Sequence, residues 1–196
     1  MPVDRNIGVL ALQGGFAEHI HRLKTMGISC AEIRLPQDLT GLDGLIIPGG
    51  ESTTIGKLAV TYGLMEPIRR MAQSRPVWGT CAGAVFMANQ VQTSQPVLGL
   101  MDITIQRNAF GRQVSSFEAD LDVPFLPLDQ NGQSSPFHAI FIRAPLIENV
   151  GKGVEVLVRL PDSRIVAARQ GHFLVTSFHP ELTNDDRFHR YFLDLK

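Results

Sequence analysis

Cysteine is scarce in this 196-residue chain. Only Cys30 and Cys81 occur, which excludes a disulfide framework, and no metal-ligand spacing is present. Two lone cysteines are expected to stay reduced, as in a cytoplasmic protein. An excess of one charge is also missing. The 18 basic and 19 acidic residues nearly balance, and no stretch is rich in Lys or Arg. Nucleic acid and an anionic membrane are therefore poor partners. No apolar run approaches the roughly 20 residues needed to span a bilayer. The opening residues 1–6 lead straight into a strand pattern and lack the features of a secretory signal. No phosphate-binding loop or cofactor motif is found, so no cofactor is expected.

What is present reads as one domain over 1–196, a length sufficient for a sizeable core. Ile7-Gly8-Val9-Leu10-Ala11-Leu12 is a continuous apolar run, as in a parallel strand buried on both faces. Phe16, Ile20, Leu23 and Met26 follow at helical spacing, and Gly27 can end that helix. Residues 28–35 and 45–47 read as two further strands, closed by Pro36 and by Pro48-Gly49-Gly50. Ser52 or Thr53 can cap the next helix, which is expected to reach about Ala72. This alternation predicts an α/β fold with a doubly wound, flavodoxin-like, mostly parallel sheet and helices on both faces. Residues 102–106, 116–122, 139–144, 154–160, 165–168 and 173–178 then read as strands with little helix between them. Antiparallel additions are expected there, with a hairpin turn at Pro161-Asp162-Ser163. Residues 122–135 read as a loop.

The stretch Val77-Trp78-Gly79-Thr80-Cys81-Ala82-Gly83-Ala84 organises the rest. It reads as a short strand turning sharply into a helix, and Gly79 and Gly83 relieve crowding around Cys81. That is the logic of a nucleophile elbow, with Cys in place of Ser. Free Cys is commonly a small core residue, but the glycine pair favours a reactive thiol at a helix N-terminus. Among six histidines, His19, His21 and His189 read as surface or half-buried helix residues. His179 ends an apolar strand, so it emerges at the same sheet end as Cys81. Pro180 biases it to extended chain, which places Glu181 on the same side. Cys81, His179 and Glu181 thus fit nucleophile, base and orienter. The N–H of Ala82, and the backbone at Gly49-Gly50, fit an oxyanion hole.

Together, Gly79-Thr80-Cys81-Ala82-Gly83, Pro48-Gly49-Gly50-Glu51-Ser52-Thr53 and His179-Pro180-Glu181 resemble the class I glutamine amidotransferase family. Arg107-Asn108-Ala109-Phe110-Gly111-Arg112-Gln113, Phe141-Ile142-Arg143-Ala144-Pro145 and the 8–14 segment are similar to its branch that serves pyridoxal 5′-phosphate synthase. The resemblance implies hydrolysis of L-glutamine to L-glutamate and ammonia by Cys81, His179 and Glu181. It implies glutamine contacts from Gly50, Glu51, Ser52, Arg107, Ile142 and Arg143, with Gly50 and Ala82 forming the oxyanion hole. It also implies a (β/α)₈-barrel synthase subunit as partner and recipient of the ammonia. Gln13, at the end of the first strand, is the residue expected to couple the Gly49-Gly50 turn to that partner. Two other readings stay open: another Cys–His–Glu hydrolase, such as a γ-glutamyl hydrolase or peptidase, and a non-catalytic binding subunit.

Overall fold

The computed structural model describes residues 5–107, 116–129 and 132–196. Its strands are β1 (Asn6–Leu10), β2 (Ser29–Ile33), β3 (Gly44–Ile47), β4 (Val77–Thr80), β5 (Ala88–Val91), β6 (Met101–Gln106), β7 (Ser116–Leu121), β8 (Phe137–Ile142), β9 (Leu146–Val150), β10 (Glu155–Arg159), β11 (Ile165–Gln170) and β12 (Phe173–Thr176). Its α-helices are α1 (Phe16–Thr25), α2 (Ser52–Thr61), α3 (Met65–Met71), α4 (Ala82–Met87) and α5 (Arg187–Leu193).

The large sheet runs β2-β1-β3-β4-β12-β11-β9-β6-β5, with β10 paired to β11. From β2 to β12 every pairing is parallel. This is the expected doubly wound half. From β12 to β11, β9 and β6 the pairing is antiparallel, as expected for the second half. A separate antiparallel pair, β7 with β8, stands beside the sheet.

Strand alternation divides the apolar residues between the two faces. Leu10, Leu45, Ile47 and Val77 pack with Ile55, Ala59, Ile68 and Phe86 from α2, α3 and α4. Val9, Ile46 and Trp78 pack with Leu23 of α1 and with Phe188 and Phe192 of α5. The sheet is therefore covered on both sides, and its strand ends are left for the site.

The helix predicted to reach Ala72 is two helices, because Gly63 adopts a positive φ of 68° between α2 and α3. Its cap is Glu51, not Ser52 or Thr53: the Glu51 carboxylate accepts from the backbone N–H groups of Thr53 and Thr54. The helix after the elbow lasts six residues before β5 begins. β5 and β9 lie outside the strands expected from the sequence. The 108–113 part of the Arg107-Asn108 motif, and residues 130–131 of the loop, lie outside the described residues.

Candidate active site

β4 enters the elbow, and Cys81 is left at φ 48°, ψ −106°. A side chain held there is strained by about 1–3 kcal/mol. The two glycines make the turn possible. A Cβ on Gly79 would lie 2.6 Å from the Gly83 carbonyl group, and one on Gly83 would lie 1.9 Å from the Ile47 carbonyl oxygen. Backbone atoms set both limits, so neither position can accept a larger residue without moving a strand or a helix. Cys81 N–H donates to the Thr176 carbonyl at 2.8 Å, which ties the elbow to β12. The thiol lines a cavity of about 620 Å³ at the carboxyl ends of the parallel strands.

His179 follows β12 and lines the same cavity as Cys81. Its Nδ1 lies 2.7 Å from Glu181 Oε1. The pair forms as expected, but by a different route. Pro180–Leu182 is a tight 3₁₀ turn rather than extended chain, and the turn swings Glu181 back under the imidazole. Glu181 is only 5 % exposed. Burial opposes the charge on His179, but hydrogen bonds to Cys81 and Glu181 outweigh it and raise the imidazole to about 10. Burial also pushes the Glu181 carboxyl up, yet the imidazoles of His19 and His179 facing it bring it below the ordinary carboxylate range. The third wall is Gly49. A Cβ there would meet His179 Cε1 at 2.4 Å and Cys81 Cβ at 3.3 Å.

The cavity is lined by Gly50, Glu51, Ser52, Ala82, Arg107, Ile142 and Arg143, besides Cys81, His179 and Glu181. Arg107 Nη2 donates to Glu51 Oε1 at 2.8 Å, and its Nη1 donates to Thr53 Oγ1 and Gln95 Oε1. Burial raises the Glu51 carboxyl, but bonds from Thr54 and Thr53 and the Arg107 charge hold it below its usual value. Arg143 sits at φ 46° and has no ion pair among the described residues. The Cys81 thiol also reaches the Ile142 carbonyl at 3.8 Å. Gln13 Oε1 accepts from Glu51 N–H at 2.7 Å, and the Gly49 carbonyl accepts from Gly15 N–H at 3.0 Å. The glycine turn is therefore stitched to the β1–α1 loop on both sides.

Two residues that matter here were misjudged from sequence. His19 and His189 are fully buried, not surface or half-buried. His19 Nε2 lies 3.4 Å from Glu181 Oε2. The signal for His19 was its place between Phe16 and Leu23 on the apolar stripe of α1. Gln95, which holds Arg107, carries no such signal. Cys30 lies within β2, and burial raises its thiol pKa. Among the described residues no group of His, Cys, Asp and Glu is placed to hold a metal ion. No helix among them is long and apolar enough to cross a membrane.

A doubly wound sheet with a cysteine elbow, an adjacent His–Glu pair and an anion-and-cation-lined cavity defines an arrangement suited to acyl transfer from an amide. Residues 9–195 match the model of the SNO glutamine amidotransferase family. The chain is 56% identical over 194 residues to the pyridoxal 5′-phosphate synthase subunit PdxT of Herpetosiphon aurantiacus, covering 96% of this chain and 99% of that protein. It is 53% identical to the PdxT subunit of Thermus thermophilus, covering 96% of each. A solved glutamine amidotransferase superposes with a TM-score of 0.88 at 50% identity, covering 96% of this chain and 97% of that one. The PurLQS structure from Thermotoga maritima, at 16% identity and a TM-score of 0.72, shares the fold. The chain belongs to the SNO glutamine amidotransferase family.

Proposed function

We propose that this chain is the glutaminase subunit of a pyridoxal 5′-phosphate synthase, hydrolysing L-glutamine to L-glutamate and ammonia. The observation that carries the reading is the hydrogen-bonded His179–Glu181 pair sharing one strand-end cavity with Cys81, both His179 and Cys81 packed against Gly49. Cys81 Sγ attacks the side-chain amide carbon of glutamine. The developing oxyanion is met by the N–H groups of Ala82 and Gly50. His179, which receives the thiol proton, gives it to the leaving nitrogen as the C–N bond breaks. A glutamyl thioester remains. Water then attacks it, His179 takes the water proton, and the C–S bond breaks to release glutamate and return the proton to sulfur.

Glu51 offers a carboxylate to the substrate ammonium, while Arg143 and Arg107 offer guanidinium groups to the α-carboxylate. Ser52, Ile142 and the Gly50 backbone shape the space between these ends. Ammonia passes to a synthase subunit, which we propose to be a (β/α)₈ barrel. Two free thiols suit a cytoplasmic setting, and the 196 residues act as one domain. Docking sets the activity. Gln13 holds the Glu51 N–H beside the Gly49-Gly50 peptide, so a partner pressing on the β1–α1 loop selects the turn that aims both oxyanion donors. Ammonia release from saturating glutamine, measured with and without the synthase subunit, tests this. An activation of about 10²–10³-fold is expected, the usual worth of one oxyanion donor, and Gln13→Ala should blunt it. Full activity in the isolated chain contradicts the coupling, and no ammonia in the complex contradicts the reading itself.

A further inference from the structure

Glu181 uses one of its oxygens on His179. The other, Oε2, is buried and receives no hydrogen bond among the described residues. The group that faces it is His19 Nε2, at 3.4 Å. His19 is fully buried, and its ring is fixed on several sides. Its Nδ1 lies 3.2 Å from His189 Nε2, and its Nε2 lies 3.3 Å from the hydroxyl of Thr80, the residue before Cys81. Both rings also stand edge-on to Trp78, at 5.7 Å and 5.0 Å between centroids.

Burial lowers the His19 imidazole, against the opposing pull of Glu181 and Glu18. Burial, with His19 and Arg22 nearby, lowers His189 well below its usual value. Each ring then carries a single N–H. Between His19 Nδ1 and His189 Nε2 there is room for one proton. If His19 donated it, the bare Nε2 lone pair of His19 would face a carboxylate oxygen in a dry site. His189 Nδ1, which has no partner, would also become a buried orphan N–H. The reverse assignment removes both costs. His189 Nε2–H donates to His19 Nδ1, and the His19 proton sits on Nε2, between Glu181 Oε2 and the Thr80 hydroxyl.

We propose that His19 is a positioning residue for the glutaminase reaction: its Nε2–H tautomer, selected by His189, holds the outer oxygen of Glu181 and so keeps that carboxylate aimed at His179. The set Cys81–His179–Glu181 thereby extends inward to two further histidines on α1 and α5. This rests on the reading of the cavity given above. It differs from a packing role in what it demands of the atom at the Nε2 position, which must be a donor.

The test compares His19→Gln, which can return an N–H near the same place, with His19→Leu, which cannot. Ammonia release is measured in complex with the synthase subunit, with unfolding followed separately. Hydrogen bonds to charged groups and supporting contacts of this kind change rates by about 10- to 100-fold. His19→Leu should lower kcat by that factor with KM within about twofold, and His19→Gln should recover most of it. Nitrogen NMR of the parent should show His19 protonated at Nε2 and bare at Nδ1. Unchanged kcat in His19→Leu, equal damage in two folded variants, or an Nδ1–H tautomer overturns the proposal. The NMR result decides it if His19→Leu does not fold. A parent complex that releases no ammonia instead refutes the functional reading and leaves the tautomer assignment standing.

Discussion

Gly49→Ala is the sharpest perturbation of the site, because the added methyl has a known place to go. The Gly49 backbone lies outside the left-handed region, so alanine can adopt it. Its Cβ would stand 2.4 Å from His179 Cε1, about 1 Å short of ordinary contact, which begins at 3.4 Å. Cys81 Cβ at 3.3 Å blocks escape on one side, and the 2.7 Å bond to Glu181 anchors the ring on another. The imidazole must therefore shift by roughly 1 Å relative to the thiol. A misplacement of that size can cost about 10²-fold in rate, or about 2.7 kcal/mol of barrier. Steady-state ammonia release should show the loss in kcat, with KM little changed because the Glu51 and Arg143 end is untouched. A urea melt should stay near the parent, since a side chain moves rather than a strand. A folded Gly49→Ala variant keeping more than a third of parental kcat would refute the placement of His179 between Gly49 and Cys81.

Other expectations follow from the same geometry. Cys81→Gly should be more stable than Cys81→Ala by about 0.5–2 kcal/mol, because the strain that glycine relieves at φ 48° exceeds the extra conformational entropy it loses on folding; equal urea midpoints would show that the elbow stores no strain. The raised imidazole of His179 makes stability pH-dependent with a defined sign. Its contribution is fully present below pH 6.5 and is lost as pH rises through about 10. NMR titration should find the His179 value lowered in both Cys81→Ala and Glu181→Gln, and no change in either variant would contradict the assigned causes. Glu51→Gln loses the charge and one of the two acceptor oxygens that serve the Thr53 and Thr54 N–H groups, so it should raise KM for glutamine far more than it lowers kcat, with a melting temperature lowered by the loss of half the helix cap. A KM unchanged in Glu51→Gln would remove Glu51 from substrate binding.

The parallel half of the sheet was readable because its strands are nearly continuous apolar runs ended by Pro or Gly, as at Ile46-Ile47-Pro48. The elbow was readable because a strained turn demands small residues at fixed offsets, and Gly79 and Gly83 supply them. Two short strands, β5 and β9, were not. Ala88-Asn89-Gln90-Val91 at one edge of the sheet and Leu146–Val150 inside it each carry two adjacent exposed polar residues, so neither period nor hydrophobicity marks them. The Glu181 contact was anticipated for the wrong reason. A 3₁₀ turn after Pro180 brings the carboxylate to Nδ1, and the same pair of residues fits either backbone. His19 and His189 escaped because a histidine on an apolar stripe looks like any helix histidine until the opposing helix is placed. Only the packing of α1 against α5 and Trp78 shows that both rings lie behind the site.

The proposed reaction needs Cys81 as the nucleophile in a cavity that recognises glutamine. The direct measurement is mass spectrometry of the complex after treatment with a glutamine analogue bearing an electrophilic carbon in place of the amide. One adduct per chain is expected on Cys81, with loss of ammonia release in step with labelling and protection by L-glutamine. Cys30, whose thiol burial pushes up, should remain unlabelled. Equal labelling of both cysteines, or ammonia release that survives full modification of Cys81, would contradict it.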